Sequence, residues 1–175
     1  MITEKVKSVI IDVPDFPRAG IVFKDITPIL GKPDLICEIV EHIKKQLGQS
    51  NISGIACIES RGFWLGTILA YEMQLPIIPI RKKGKLPSET ISISYDLEYG
   101  SAEIEVQKTA VKQGDRILIH DDLLATGGTA EAAARLMQKS GAMVSGFSFL
   151  VDLTFLKGAD RLRKYSDQIM SIVEY

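Results

Sequence analysis

Apolar residues along this chain follow two rhythms that take turns. Behind Pro33, residues Leu35, Ile36, Ile39, Val40, Ile43 and Leu47 recur at three- and four-residue spacing, which predicts an amphipathic helix opening at that proline. Ile52–Ile58, Ile77–Ile80, 116–120, Val144–Val151 and Ile169–Val173 are short apolar runs, the form of strands covered on both faces. Helices are predicted over Thr3–Ile10, Gly62–Met73, 129–140 and Leu156–Tyr165. The third of these carries Ala130, Ala133, Ala134 and Met137 at i, i+3, i+4 and i+7. Thr90–Tyr95 and Ala102–Gln107 alternate residue by residue around Tyr99-Gly100, which predicts a β-hairpin arm. Pro14, Pro17, Gly20 and Pro28 break up Val13–Gly31, which reads as irregular. Strands alternating with helices predict an α/β fold, a central, mostly parallel sheet flanked by helices.

Composition narrows the picture. At 175 residues the chain fits one domain, 1–175, with room for a real core, and no repeat or low-complexity tract divides it. Its 21 basic and 22 acidic residues give no lean toward nucleic acid or a membrane surface, so anion binding must come from local clusters. No apolar stretch reaches the ~18 residues of a spanning helix, and Met-Ile-Thr-Glu-Lys is unlike a signal peptide. A cytoplasmic protein is expected. Cys37 and Cys57 lack metal-ligand spacing and are read as reduced core residues.

The densest chemistry lies at 117–129, Ile-Leu-Ile-His-Asp-Asp-Leu-Leu-Ala-Thr-Gly-Gly-Thr. A buried strand there leads through Asp121 and Asp122 into a Gly-rich turn, Ala125-Thr126-Gly127-Gly128-Thr129, and on into a helix. The turn could be an ordinary tight connection. It is also the form of a phosphate cradle, since glycines let the backbone approach a ligand and the first N–H groups of a helix have no partner inside it. No Walker lysine or dinucleotide fingerprint is present. Two acids beside such a loop are either solvated strand-end residues or acceptors for a vicinal diol, which together with the loop fits a 5-phosphoribosyl group.

Other blocks leave more open. Glu59-Ser60-Arg61-Gly62 is a second strand-to-helix turn on the same predicted sheet edge. Arg81-Lys82-Lys83-Gly84-Lys85 could be a solvated face, a small nucleic-acid patch or an anion site. Phe23 stands in a Pro/Gly-broken loop, where it either packs or offers a face for stacking. Glu98 lies at the hairpin tip, with Glu103 and Glu105 nearby reading as equally exposed. His120 reads as a core histidine and His42 as inert.

Five blocks in order, running from about Asp15 to Lys164, carry a family resemblance: Phe16-Pro-Arg-Ala-Gly-Ile-Val-Phe-Lys-Asp-Ile-Thr-Pro, Glu59-Ser-Arg-Gly-Phe, Ile80-Arg-Lys-Lys-Gly-Lys-Leu-Pro, Leu97-Glu-Tyr-Gly and Leu153-Thr-Phe-Leu-Lys-Gly. With Asp121-Asp-Leu-Leu-Ala-Thr-Gly-Gly-Thr they resemble the type I phosphoribosyltransferases, in the adenine-specific branch. The resemblance implies transfer of a phosphoribosyl group from phosphoribosyl pyrophosphate to adenine, giving AMP and pyrophosphate in a single displacement. It implies Mg²⁺ held through substrate oxygens and water, with no direct protein ligand, and a homodimer. It assigns the ribose hydroxyls to Asp121 and Asp122, and the 5′-phosphate to Ala125, Thr126, Gly127, Gly128 and Thr129. Pyrophosphate falls to Glu59, Ser60, Arg61, Arg81, Lys82 and Lys85, with a non-proline cis peptide near Glu59–Ser60. Val22, Phe23 and Lys24 fall to the base, within a hood at about 13–31. Glu98, on a flap at about 85–108, would exchange the proton at purine N7. Two positions depart from the pattern: Lys24 stands where several relatives carry Arg, and His120 where an apolar residue is usual. Two alternatives accompany this reading, a non-catalytic sensor of the same ligands and a transferase for another purine.

Overall fold

A computed structural model describes residues 1–96 and 100–175 of the chain. Seven strands form the central sheet in the order β5-β6-β4-β3-β7-β8-β9: β3 Gly54–Ile58, β4 Ile77–Lys82, β5 Thr90–Asp96, β6 Ser101–Gln107, β7 Arg116–Leu124, β8 Met143–Asp152 and β9 Ile169–Glu174. The pairs β3–β4, β3–β7, β7–β8 and β8–β9 are parallel. The predicted hairpin does not stand off as a separate arm. It continues the sheet, since β6 pairs antiparallel with β4 through Arg81↔Glu105 and Lys82↔Ile104.

Alternation along the central strands feeds two cores. Ala56, Ile58, Ile117 and Ile119 point to one face, where they meet Ala130, Ala133, Ala134 and Met137 of α4 (Gly128–Lys139) and Leu162 of α5 (Gly158–Leu162). Ile55, Cys57 and Leu118 point to the other face, against α1 (Ile2–Lys7), α2 (Pro33–Leu47) and α3 (Gly62–Glu72). In α2 the predicted stripe is buried at Leu35, Ile39, Val40, Ile43 and Leu47. Cys57 is in the core as expected, but Cys37 is exposed, because it falls on the solvent side of that stripe.

Two stretches differ from the sequence reading. Val13–Gly31 is not wholly irregular: β1 (Ile11–Pro14) and β2 (Val22–Asp25) pair as a small antiparallel sheet, followed by a 3₁₀ turn at Thr27–Gly31. The strand read as 116–120 runs on to Leu124, so both acids lie within it. Among the described residues no helix is long and apolar enough to cross a membrane.

Candidate active site

Parallel strands β3, β4 and β7 end on one edge of the sheet, and the connections that leave them there build the site. Behind β7, residues 125–127 turn sharply and α4 begins. Gly127 takes φ +81°, a left-handed conformation that L side chains rarely adopt, and it is the N-cap of α4 without a side-chain capping bond. A Cβ on Gly127 would stand 2.6 Å from the Gly158 carbonyl oxygen, so the loop rests backbone against backbone on the start of α5. No side chain caps the first-turn N–H groups of α4, and a helix start of that kind can accept an anion. Tyr95 reaches across from β5, with its hydroxyl 3.4 Å from Thr129 Oγ1.

The acids of β7 sit in a tight place. Glu59 and Ser60 are joined by a cis peptide, as the resemblance led us to expect, and α3 starts two residues later. The first turn of α3 presses on β7: a Cβ at Gly62 would be 2.9 Å from Asp121 Oδ1 and 3.0 Å from the His120 carbonyl oxygen. Burial, and next the charge of Asp122, push the Asp121 carboxyl well above the usual range, with Arg61 pulling the other way. Asp122 is raised as well, by burial working against Arg61. Arg61 Nη2 lies 2.9 Å from Asp122 Oδ2, a charge contact without hydrogen-bond alignment, since that oxygen has no hydrogen-bond partner.

Arg61 also ties this edge to the hood. Its guanidinium carbon is 4.7 Å from the centre of the Phe23 ring, and Phe16 packs edge-on against the same ring at 5.1 Å. Val22 is exposed beside it. The Lys24 side chain turns the other way. Its Nζ contacts Asp12 Oδ1 at 2.7 Å and lies 3.7 Å from the centre of the Tyr175 ring, so the side chain anchors the hood to the C-terminal residue. Arg81 is fixed at the end of β4. Its Nε donates to Glu59 Oε2 at 3.1 Å, its Nη1 donates to the Lys85 carbonyl at 3.0 Å, and the Lys82 N–H donates to Glu59 Oε2 at 3.0 Å. Burial would raise the Glu59 carboxyl, but the bonds from the Lys82 N–H and Arg81, with the charges of both residues, outweigh it and hold the group below its usual range. Lys82 and Lys85 are exposed.

A family model for the phosphoribosyl transferase domain matches residues 29–173. Across its whole length, and 97% of the relative's, the chain is 49% identical to the adenine phosphoribosyltransferase of Cytophaga hutchinsonii. The solved adenine phosphoribosyltransferase of Thermoanaerobacter pseudethanolicus matches it with TM-score 0.95 at 44% identity, over 99% of each chain. The chain belongs to the adenine phosphoribosyltransferase family. A more distant family member, from Saccharomyces cerevisiae, matches at 34% identity and TM-score 0.91 over 98% of each chain. That enzyme was solved with adenine and an imino-altritol bisphosphate.

Against this adenine phosphoribosyltransferase background, Phe23, Arg61 and Asp122 form one contact chain, and Glu59, Arg81 and Lys82 form another. Glu98 lies outside the described residues. His120 is a core residue: it is fully buried, Nδ1 is 3.3 Å from Ser148 Oγ, and burial pushes its pKa down to about 4. Glu105 corrects the sequence reading. It is 1% exposed, whereas strand alternation placed it outward beside Glu103. Alternation was right about the face, but residues 84–86 of the basic turn cover that face and donate to the carboxylate. The signal available in advance was a carboxylate on a strand flanking a run of four cations.

Proposed function

We propose that the enzyme joins adenine to 5-phosphoribosyl 1-pyrophosphate in one displacement at the anomeric carbon, with N9 attacking as pyrophosphate leaves, and that the residues below carry the reaction. The observation that carries this reading is the contact chain Phe23–Arg61–Asp122, at 4.7 and 2.9 Å, beside the uncapped start of α4. A stacking face, a cation, a diol acceptor and a phosphate cradle thus share one edge. Phe23 stacks on the purine, and the backbone of Val22 and Lys24 reads its edge, because the Lys24 side chain is held by Asp12 and Tyr175. Asp121 and Asp122 accept from the ribose hydroxyls. Ala125, Thr126, Gly127, Gly128 and Thr129 hold the 5′-phosphate.

Ser60, Arg61, Arg81, Lys82 and Lys85 face the pyrophosphate, and Glu59 orients Arg81 for it. Arg61 leaves Asp122 for the pyrophosphate when the donor enters, which frees that carboxylate for a hydroxyl. Glu98 takes or returns the proton at N7. Rate acceleration comes from placing the two reactants and from countering charge on the leaving group. Mg²⁺ fits as an ion carried by the donor: the acidic edge at Asp121 and Asp122 would face its waters, and the ion would offset charge on the departing pyrophosphate. The product AMP and the salvage of adenine follow from this reaction.

The working unit in this reading is a homodimer in the cytoplasm. Tyr71 and Ile77, exposed apolar residues on α3 and β4, are surface that a second subunit would cover. The two free thiols suit a reducing compartment. The deciding experiment mixes protein, Mg²⁺, donor and one base at a time, and follows pyrophosphate release. Release with adenine and not with hypoxanthine, guanine or xanthine is expected. Equal release with another purine would overturn the base assignment, and binding without release would favour a sensor.

A further inference from the structure

Glu105 is among the most buried carboxylates of the chain, yet it touches no residue assigned above to the base, ribose or 5′-phosphate. Its Oε1 accepts from three successive backbone N–H groups, Gly84 at 2.9 Å, Lys85 at 3.1 Å and Leu86 at 3.0 Å. Its Oε2 accepts from the Thr90 hydroxyl at 2.9 Å. Successive N–H groups converging on one point form an anion nest, and here the anion is supplied by the chain itself. Burial raises the carboxyl's pKa, but the bonds from Leu86, Thr90, Gly84 and Lys85 outweigh it and hold the group below its usual range.

We propose that Glu105 is a positioning residue of the pyrophosphate site, its carboxylate holding turn 84–86 so that Lys85 and Arg81 present their charge to the leaving group. The geometry follows in steps. Arg81, Lys82, Lys83 and Lys85 place four like charges in five residues, which repel one another unless an anion organises them. Glu59 is that anion on one side, through Arg81 Nε and the Lys82 N–H. Glu105 is its counterpart on the other side, through the turn itself. The Lys85 carbonyl, whose own N–H is fixed by Glu105, accepts from Arg81 Nη1 at 3.0 Å. The turn therefore sets the side chain of Arg81 as well as the position of Lys85. Thr90 opens β5, so the same carboxylate pins the root of the hairpin to the basic turn.

This inference rests on the assignment of the basic segment to pyrophosphate. Glu105→Gln keeps the shape and removes the charge. In the intact enzyme it should raise KM for the donor on the order of tenfold, as expected for loss of charge-assisted hydrogen bonds. KM for adenine should be unchanged and kcat little altered, while amide exchange across 83–90 quickens. Thr90→Val, which deletes one of the four bonds, should give a smaller rise in the same constant and serves if the first variant does not fold. A folded Glu105→Gln with unchanged donor KM, or with the KM of both substrates raised alike, overturns the proposal. Arg81→Ala/Lys85→Ala separates the two levels. If it leaves donor KM unchanged, the pyrophosphate assignment falls and this inference with it; if it raises donor KM while Glu105→Gln does not, only the role of Glu105 fails.

Discussion

Two adjacent carboxylates pushed into the end of a strand weaken a folded chain unless something offsets their charge. For Asp121 and Asp122, Arg61, 2.9 Å from Asp122, and the Asp122 N–H that donates to Asp121 offset this only in part, and both carboxyls are raised above their usual range. The sign follows from linkage. A raised folded-state pKa means the stabilising share is complete below the unfolded value, near 3.8 for Asp121, and is lost as pH climbs through the folded value. Once both are ionised, the pair is a burden that a bound ribose would relieve. Asp121→Asn keeps an acceptor for the Asp122 N–H, which donates at 2.9 Å, and removes a charge. We expect it to raise the melting temperature of the free protein by roughly 2–4 °C, about 1 kcal/mol, while weakening donor binding at least about tenfold. Melts with and without donor check both halves, and a lower melting temperature in the free variant would show that the acids stabilise the fold. Glu98→Gln tests the other carboxylate: turnover should fall roughly 10²–10⁴-fold with donor binding kept. The identities of these residues were legible in the sequence. Their environments were not, because the first turn of α3 closes over Asp121 only once the chain has folded.

The elements that periodicity could find were the longer ones. α2 and α4 present apolar stripes over three turns or more, and β3 and β7 are apolar runs, so all four were legible. The hood was not, since β1 and β2 are four residues each, and Pro14 at the end of β1 and Pro17 between the strands read as punctuation. The overrun of β7 to Leu124 was hidden because two acids look like a strand's end, although Leu123 and Leu124 resume the apolar run. The block at Leu153–Gly158 was visible as a motif without a role, and the fold gives it one. Gly158 lies where α5 backs turn 125–127, the stretch proposed to hold the 5′-phosphate, and a Cβ there would meet the Ala125 carbonyl, with Gly127 N and Leu124 Cδ1 each at 3.0 Å. Gly158→Ala should therefore cost about 1–3 kcal/mol in stability and raise KM for the donor, with KM for adenine little changed. Gly31→Ala is the control, having nothing within 4 Å of the added carbon and no left-handed φ, and should stay within about 0.5 kcal/mol of the parent. If the two variants behaved alike, the loop would not depend on α5.

The molecule as a whole carries its titration in the middle of the sheet. His120, Cys57 and Ser148 are register partners on β7, β3 and β8, all buried. His120 has one nitrogen near Ser148 and Nε2 without a partner, so protonation would place an uncompensated charge in the core. Its folded pKa is about 4, against 6.5 as the ordinary value. A depressed histidine binds fewer protons folded than unfolded, so its stabilising share is complete above about pH 6.5 and drains away as pH falls toward 4. A span of that size corresponds to about 3 kcal/mol at its lower end. Asp121 and Asp122 work in the opposite sense over their own window, since they take up protons in the folded state as pH falls. The net curve mixes the two, so the informative quantity is a difference. His120→Leu/Ser148→Ala replaces both members of the pair with apolar groups and leaves the acids in place. Between pH 7 and 4 the gap in melting temperature between parent and variant should shift in the variant's favour by roughly 6–12 °C. Turnover at neutral pH should stay within about twofold, because both side chains are fully buried and neither is among the residues proposed to bind substrate. A gap that stays constant across that range would mean His120 is already protonated in the fold or reaches water, and the sheet centre would then not set the enzyme's acid limit.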